Sequence, residues 1–146
     1  MKTNHNNYLK LAFNIAKINL GKTKLNPSVG CIIVKNKSVI SSGVTSVSGR
    51  PHAEYNALKL KKNFKNADLY VTMEPCTHFG LTPPCSNFIA KKKIKRVFYS
   101  FNDIDKRTAK KSRIELNNEK IQVFRKIPSY YKSFYESYFH VKNGKY

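Results

Sequence analysis

The sequence predicts a layered α/β domain in which helices cover both sides of a mixed five-stranded sheet, a three-layer α/β/α arrangement. Three observations carry this. Two β-rich runs, Val29 to Val34 and Ser38 to Val44, are separated only by the polar break at Asn36-Lys37, as in an antiparallel hairpin. Beyond the hairpin, short apolar runs alternate with stretches of helical spacing. The chain of 146 residues, 40% hydrophobic and 25% charged, is long enough for one buried core and has a globular composition, so a single domain over 1–146 is expected.

The elements follow in order. From about Asn7 to Leu20, Tyr8, Leu11, Ala12, Ile15 and Ala16 share one helical face, and Gly21 is a natural stop. Asn26-Pro27 marks a turn before the hairpin. A loop with Gly and Ser then leads to Pro51-His52, after which Ala53, Ala57, Leu58 and Leu60 mark a short helix. Leu69 to Thr72 reads as a buried strand, with Pro75 just beyond it. The loop Thr77 to Pro84 leads into a helix over Cys85 to Lys93 and a strand at Val97 to Tyr99. A helix over Lys106 to Asn118 and a strand over Ile121 to Phe124 complete the alternation. In the tail from Ser129 to Val141, Tyr130, Phe134 and Tyr138 recur at steps of four, with Tyr131, Tyr135 and Phe139 beside them. An aromatic stripe of that spacing is expected to pack on the core or on a partner subunit.

Charge is lopsided, with 28 Lys+Arg against 8 Asp+Glu and a formal net charge of +20. A field of that size attracts phosphorylated metabolites and polyanions alike. The basic residues are spread over the whole length, and only Lys91-Lys92-Lys93 with Lys95 and Arg96 form a dense cluster, so a dedicated nucleic-acid surface is not expected. No signal-like or membrane-spanning apolar run is present, which points to the cytoplasm.

Three cysteines cannot all pair, and a chain of this kind seldom keeps disulfides, so metal binding is the better question. His52 and Glu54 stand two apart at the start of a helix, about 200° apart by helical geometry. The imidazole is thereby free to take a metal while the carboxylate reaches a bound water. Cys76 follows a strand end and Cys85 opens the next helix. One nitrogen and two sulfurs suit Zn²⁺ with an open fourth position, the mark of a catalytic rather than a structural site. Glu54, outside the ligand set, fits a proton shuttle, as in zinc deaminases with H-x-E and a later P-C-x-x-C. Here eight residues, not two, separate the cysteines. Cys31, inside an apolar run, reads as a small core residue. His78, between the two cysteines, reads as a substrate contact.

Three segments, Asn26-Pro27-Ser28-Val29-Gly30-Cys31, His52-Ala53-Glu54 and Tyr70 through Cys85 ending in Thr-Pro-Pro-Cys, resemble the pyrimidine deaminase domain of riboflavin biosynthesis. This is a branch of the cytidine-deaminase-like superfamily. The resemblance implies hydrolytic deamination of 2,5-diamino-6-ribosylamino-4(3H)-pyrimidinone 5′-phosphate, with Zn²⁺ on His52, Cys76 and Cys85 and proton transfer by Glu54. It further implies substrate contacts from Asn26 and from the backbone around Ala53 and His78, and a homo-oligomer, dimer or tetramer. A deaminase acting on another nucleobase, nucleotide or tRNA is the alternative. Many members continue into an NADPH-dependent reductase domain; no Gly-rich dinucleotide loop is present here, so no NADPH binding is expected, and a reductase is expected either on a separate polypeptide or in a continuation of the chain beyond this sequence. The chain departs from the family at Leu81, where a basic residue usually helps hold the phosphate, at Thr45, where a His is common, and at Asp103-Ile104-Asp105-Lys106. Lys106, Arg107 or Arg50 is expected to supply the missing charge.

Overall fold

The polar break at Asn36-Lys37 is a two-residue turn with both residues at positive φ, 51° and 63°. That backbone twist matches the right-handed twist of paired strands, which is why two-residue hairpins favour it. It joins β1 (Gly30–Lys35) to β2 (Ser38–Val44) in antiparallel register, Lys35 opposite Ser38. The computed structural model describes residues 4–77, 83–103 and 108–142, with side chains through 140. Around the hairpin it sets α1 (His5–Ala16), α2 (Ala53–Leu58), β3 (Asp68–Met73), α3 (Cys85–Lys91), β4 (Arg96–Phe101), α4 (Ser112–Asn118), β5 (Gln122–Arg125) and α5 (Glu136–Lys142). The five strands run in the order β2-β1-β3-β4-β5, with β1 antiparallel to both its neighbours and β3, β4 and β5 mutually parallel. The mixed sheet expected from the sequence is the one found.

Strand alternation sorts the core into two layers. Cys31, Ile33, Leu69, Val71, Val97 and Val123 face one way, where α2, α3 and α4 add Leu58, Ile89 and Leu116. Ile32, Val34, Tyr70 and Phe98 face the other way, against Leu9 and Ala12 of α1. Burial on both faces explains why β1, β3 and β4 are almost continuously apolar. Each fully buried Leu or Ile contributes about 1.5–3 kcal/mol.

Three elements differ from the sequence expectation. The first helix stops at Ala16 and passes through a 3₁₀ turn at Lys17–Asn19. The fourth, among the described residues, spans Ser112–Asn118. The tail is not one helix: a 3₁₀ turn at Ser129–Tyr131 and a bend precede α5. Its tyrosines explain the break. Tyr131 stacks on Phe13 at 4.5 Å and donates to Asn14 Oδ1 at 2.8 Å. Tyr135 donates to the Ser28 carbonyl at 2.7 Å and lies 2.6 Å from the Thr72 hydroxyl. Anchoring two consecutive tyrosines of the stripe inside the fold outweighs regular helical geometry. Packing of the stripe on the core therefore holds for Tyr131 and Tyr135, with Phe134, Tyr138 and Phe139 partly buried against it, whereas Tyr130 is 81% exposed.

The contact that matters most for the site is between α2 and β2. A Cβ on Gly43 would stand 2.4 Å from the Ala53 carbonyl oxygen and 2.6 Å from the Ala57 nitrogen. Only a glycine lets the helix lie this close. Ser41 Oγ donates to the Ala57 carbonyl at 2.5 Å, and Asn56 Nδ2 donates to the Val44 carbonyl at 2.8 Å. Gly43→Val is expected to destabilise the protein by about 1–3 kcal/mol through overpacking. It should also lower zinc retention, because it pushes away the helix that begins at His52. Thermal melting with metal analysis checks both; a variant that melts like wild type would show that the close approach is dispensable.

Candidate active site

Three chain segments converge at one end of the sheet. His52 is the N-cap of α2 and Glu54 lies in its first turn. Cys76 follows the end of β3 by a few residues, and Cys85 is the first residue of α3. Two hydrogen bonds hold the cysteine segments together: Cys85 N–H donates to Cys76 Sγ at 3.1 Å, and Ser86 N–H to the Cys76 carbonyl at 3.1 Å.

His52 Nδ1 stands 3.5 Å from Cys85 Sγ and 3.8 Å from Cys76 Sγ, and the three donor atoms all lie within 4.8 Å of one another. Tetrahedral zinc with Zn–S of about 2.3 Å and Zn–N of about 2.0 Å spaces its nitrogen and sulfur ligands about 3.5 Å apart. The Cys85 spacing matches that value and the Cys76 spacing is slightly longer. A borderline-soft donor set of one imidazole and two thiols fits zinc in chemistry as well as in size.

The electrostatics are shaped by the same contacts. The hydrogen bond with the Cys85 thiol is the largest influence holding the Cys76 thiol down, to about 4, against the opposing effect of burial. Cys85 is pushed the other way, first by that hydrogen bond and then by burial. His52 is raised, chiefly through its hydrogen bond with Cys76. Glu54 is 4% exposed, and burial drives its carboxyl up to about 7, with the positive charge of His52 resisting. A carboxyl poised near neutrality both accepts and returns a proton readily.

A cavity of about 310 Å³ opens onto His52 and Cys85, its lining completed by Arg50, Tyr55, Pro83 and Phe88. The Tyr55 and Phe88 rings, 5.1 Å apart, form an aromatic wall suited to a flat heterocycle. Ala53 is fully buried under Gly43. Asn26 donates Nδ2 to the Gly49 carbonyl at 2.9 Å, tying the loop before β1 to the turn that leads to His52. Neither residue is among the described residues lining the cavity. Thr45 is buried and committed to Val29, whose N–H donates to its hydroxyl at 2.9 Å. His78, Leu81, Lys106 and Arg107 lie outside the described residues.

Glu74 is the residue that sequence reasoning left without a role. It is 4% exposed and accepts from the N–H groups of Asp103 and Lys110 and the hydroxyl of Ser112, at 2.8, 2.9 and 2.8 Å. It thereby fastens the β4–α4 connection to the strand end that carries Cys76. One signal was available: an acidic residue at the end of an apolar strand, in a chain with only 8 acidic residues, needs a partner.

The family model described as the cytidine and deoxycytidylate deaminase zinc-binding region matches residues 2–101. The chain belongs to this zinc-dependent deaminase family. It is 38% identical over 117 residues to the diaminohydroxyphosphoribosylamino-pyrimidine deaminase of Buchnera aphidicola subsp. Schizaphis graminum, covering 80% of each protein. It is 43% identical over 118 residues to the riboflavin biosynthesis protein RibD of Aquifex aeolicus, covering 80% of this chain and 33% of that one. The chain thus spans about a third of that relative. Among solved structures, the deaminase/reductase of Thermotoga maritima superposes with a TM-score of 0.87 at 30% identity, over 97% of this chain and 42% of that one. The α/β fold expected from the sequence is that of these deaminases. No helix among the described residues is long and apolar enough to cross a membrane.

Proposed function

We propose that this deaminase acts on 2,5-diamino-6-ribosylamino-4(3H)-pyrimidinone 5′-phosphate, releasing ammonia and the corresponding aminouracil in riboflavin biosynthesis. The observation that carries the reading is the triangle of His52, Cys76 and Cys85 with a buried Glu54 beside it, at the wall of a cavity sized for one heterocycle. The names of its relatives support the substrate. His52, Cys76 and Cys85 are the residues to hold zinc, which when bound supplies a Lewis acid that makes water a nucleophile at neutral pH.

The chain's own groups do the rest. Tyr55 and Phe88 hold the ring, and the cavity excludes bulk water from the amine-bearing carbon. Glu54 takes a proton from the attacking water and delivers it to the adjacent ring nitrogen. As the carbon–nitrogen bond breaks, Glu54 passes the remaining hydroxyl proton to the leaving amine, so that one water is consumed and one ammonia released. The loops that carry Asn26 and His78 border the substrate in this reading, and the working form is a homo-oligomer.

Arg50 is the one cation among the described residues that line the cavity beside His52, and it takes the phosphate in place of the basic residue absent at Leu81. Arg50→Ala is expected to raise KM about tenfold, the cost of one charge-assisted hydrogen bond at an exposed site, with kcat little changed. An unchanged KM would exclude Arg50 from phosphate binding. The test of the whole reading is ammonia release from the diaminopyrimidinone ribosyl phosphate, beside cytidine, dCMP and a tRNA. Turnover of the first alone supports the assignment, and turnover only of another substrate rejects it.

A further inference from the structure

Two cavities at the far edge of the sheet take no part in this chemistry. One, of about 460 Å³, lies over β4 and β5 and is lined by Phe98, Phe124, Arg96, Arg113, Arg125 and Lys126. The other, of about 490 Å³, lies at the strand ends and includes Lys35, Lys37 and Lys65; the two meet at Arg96. Basic residues scattered through the sequence are thus gathered by the fold into one groove. Among the described residues lining it, Asp68 is the only acidic one, and Arg96 already pairs with it through two hydrogen bonds.

The floor is aromatic. Phe98 and Phe124 are cross-strand partners stacked at 5.0 Å, and His5 stacks on Phe98 at 4.2 Å. Phe124 remains 40% exposed, on a part of the sheet where α1 leaves its face open. The cations around it are held in place: Arg125 Nε donates to the Ser100 carbonyl at 2.9 Å, and the Arg96 guanidinium sits 5.4 Å from the Phe98 ring centre.

We propose that this groove binds single-stranded nucleic acid, with one base stacked on Phe124 and the backbone phosphates following Arg113, Arg125 and Lys126 toward Lys35 and Lys65. An open aromatic face beside a line of cations meets both features of an unpaired strand, its bases and its phosphates. A duplex offers no free base face. A second copy of the same surface would set Arg113, Arg125 and Lys126 against their own like charges.

The test is fluorescence anisotropy of the full chain with a labelled single-stranded RNA of about 12 nucleotides across a salt series, alongside inorganic polyphosphate, duplex DNA and anionic phosphatidylserine vesicles. Phe124→Ala is expected to weaken RNA binding about 5- to 100-fold with the salt slope unchanged, the loss of one stacked base. Phe124→Tyr should restore it. Arg113→Gln with Lys126→Gln should flatten the slope by about 1.4, at about 0.7 for each lost phosphate contact. Deaminase turnover unchanged in the Phe124 variants confirms that they fold. The proposal is overturned if Phe124→Ala binds RNA like wild type. It is equally overturned if polyphosphate or duplex competes as well as the single strand, or if only vesicles bind in a Phe124-dependent way.

Discussion

Glu54→Gln should lower kcat by about 10²- to 10⁴-fold, the span of a lost general acid–base group, while the protein keeps its zinc. The carboxyl lies in the first turn of α2, buried beside the metal-ligand candidates. Glutamine preserves its shape and can still hydrogen-bond, but it can neither take a proton from water nor return one to the amine. His52, Cys76 and Cys85 remain, so zinc content should stay at wild-type level. Stability moves the other way from activity. Burial raises the Glu54 carboxyl from 4.5 to about 7, so folding favours its protonated form. The stability this group contributes is full below 4.5 and is lost as pH rises through about 7. With metal chelated, so that no cation offsets the charge, Glu54→Gln should therefore melt no lower than wild type at pH 8. Turnover, metal content and melting on one preparation decide the matter. A kcat within tenfold of wild type would remove Glu54 from the mechanism, and zinc loss would make it a structural group instead.

The parts of this protein that could be read from sequence are those set by local chemistry. Asn36-Lys37 announced the hairpin because two polar residues between β-branched runs leave the backbone little choice but a tight turn. His52, Glu54, Cys76 and Cys85 were legible because donors of those types are sparse in the chain and stand at element boundaries. The unread parts depend on contacts distant in sequence. Tyr135 leaves its helical stripe for a carbonyl more than a hundred residues away. Gly43 matters only because α2 returns to lie on it, and Glu74 only because the β4–α4 connection closes over it. The basic groove is the plainest case. Arg96 lies on β4, Arg113 on α4 and Arg125 on β5, three separate elements that only the fold brings side by side.

Replacing Cys85 by serine should abolish turnover and leave the protein with little zinc, whereas replacing Cys31 should do neither. Both cysteines are buried, so burial does not separate them; their neighbours do. Cys85 stands 3.5 Å from His52 Nδ1 and lends its backbone N–H to Cys76. A serine hydroxyl there is a harder and weaker donor for zinc, while the backbone N–H of residue 85 still donates to Cys76. The stabilisation that bound metal lends the folded state, about 4 kcal/mol at a thousandfold excess over Kd, disappears with it. Cys31 lies in β1 among Ile33, Leu69 and Val71, where burial pushes its thiol well up and keeps it protonated. Serine at that position buries a hydroxyl at a cost of about 1–3 kcal/mol, with zinc content and turnover per folded molecule intact. A chelator sharpens the contrast. It should lower the melting temperature of wild type and of Cys31→Ser by the same amount, and leave Cys85→Ser, already without metal, where it was. If Cys85→Ser keeps wild-type zinc and loses further stability to chelator, the ion is held by residues other than the three that converge here, and the assignment of the metal centre fails.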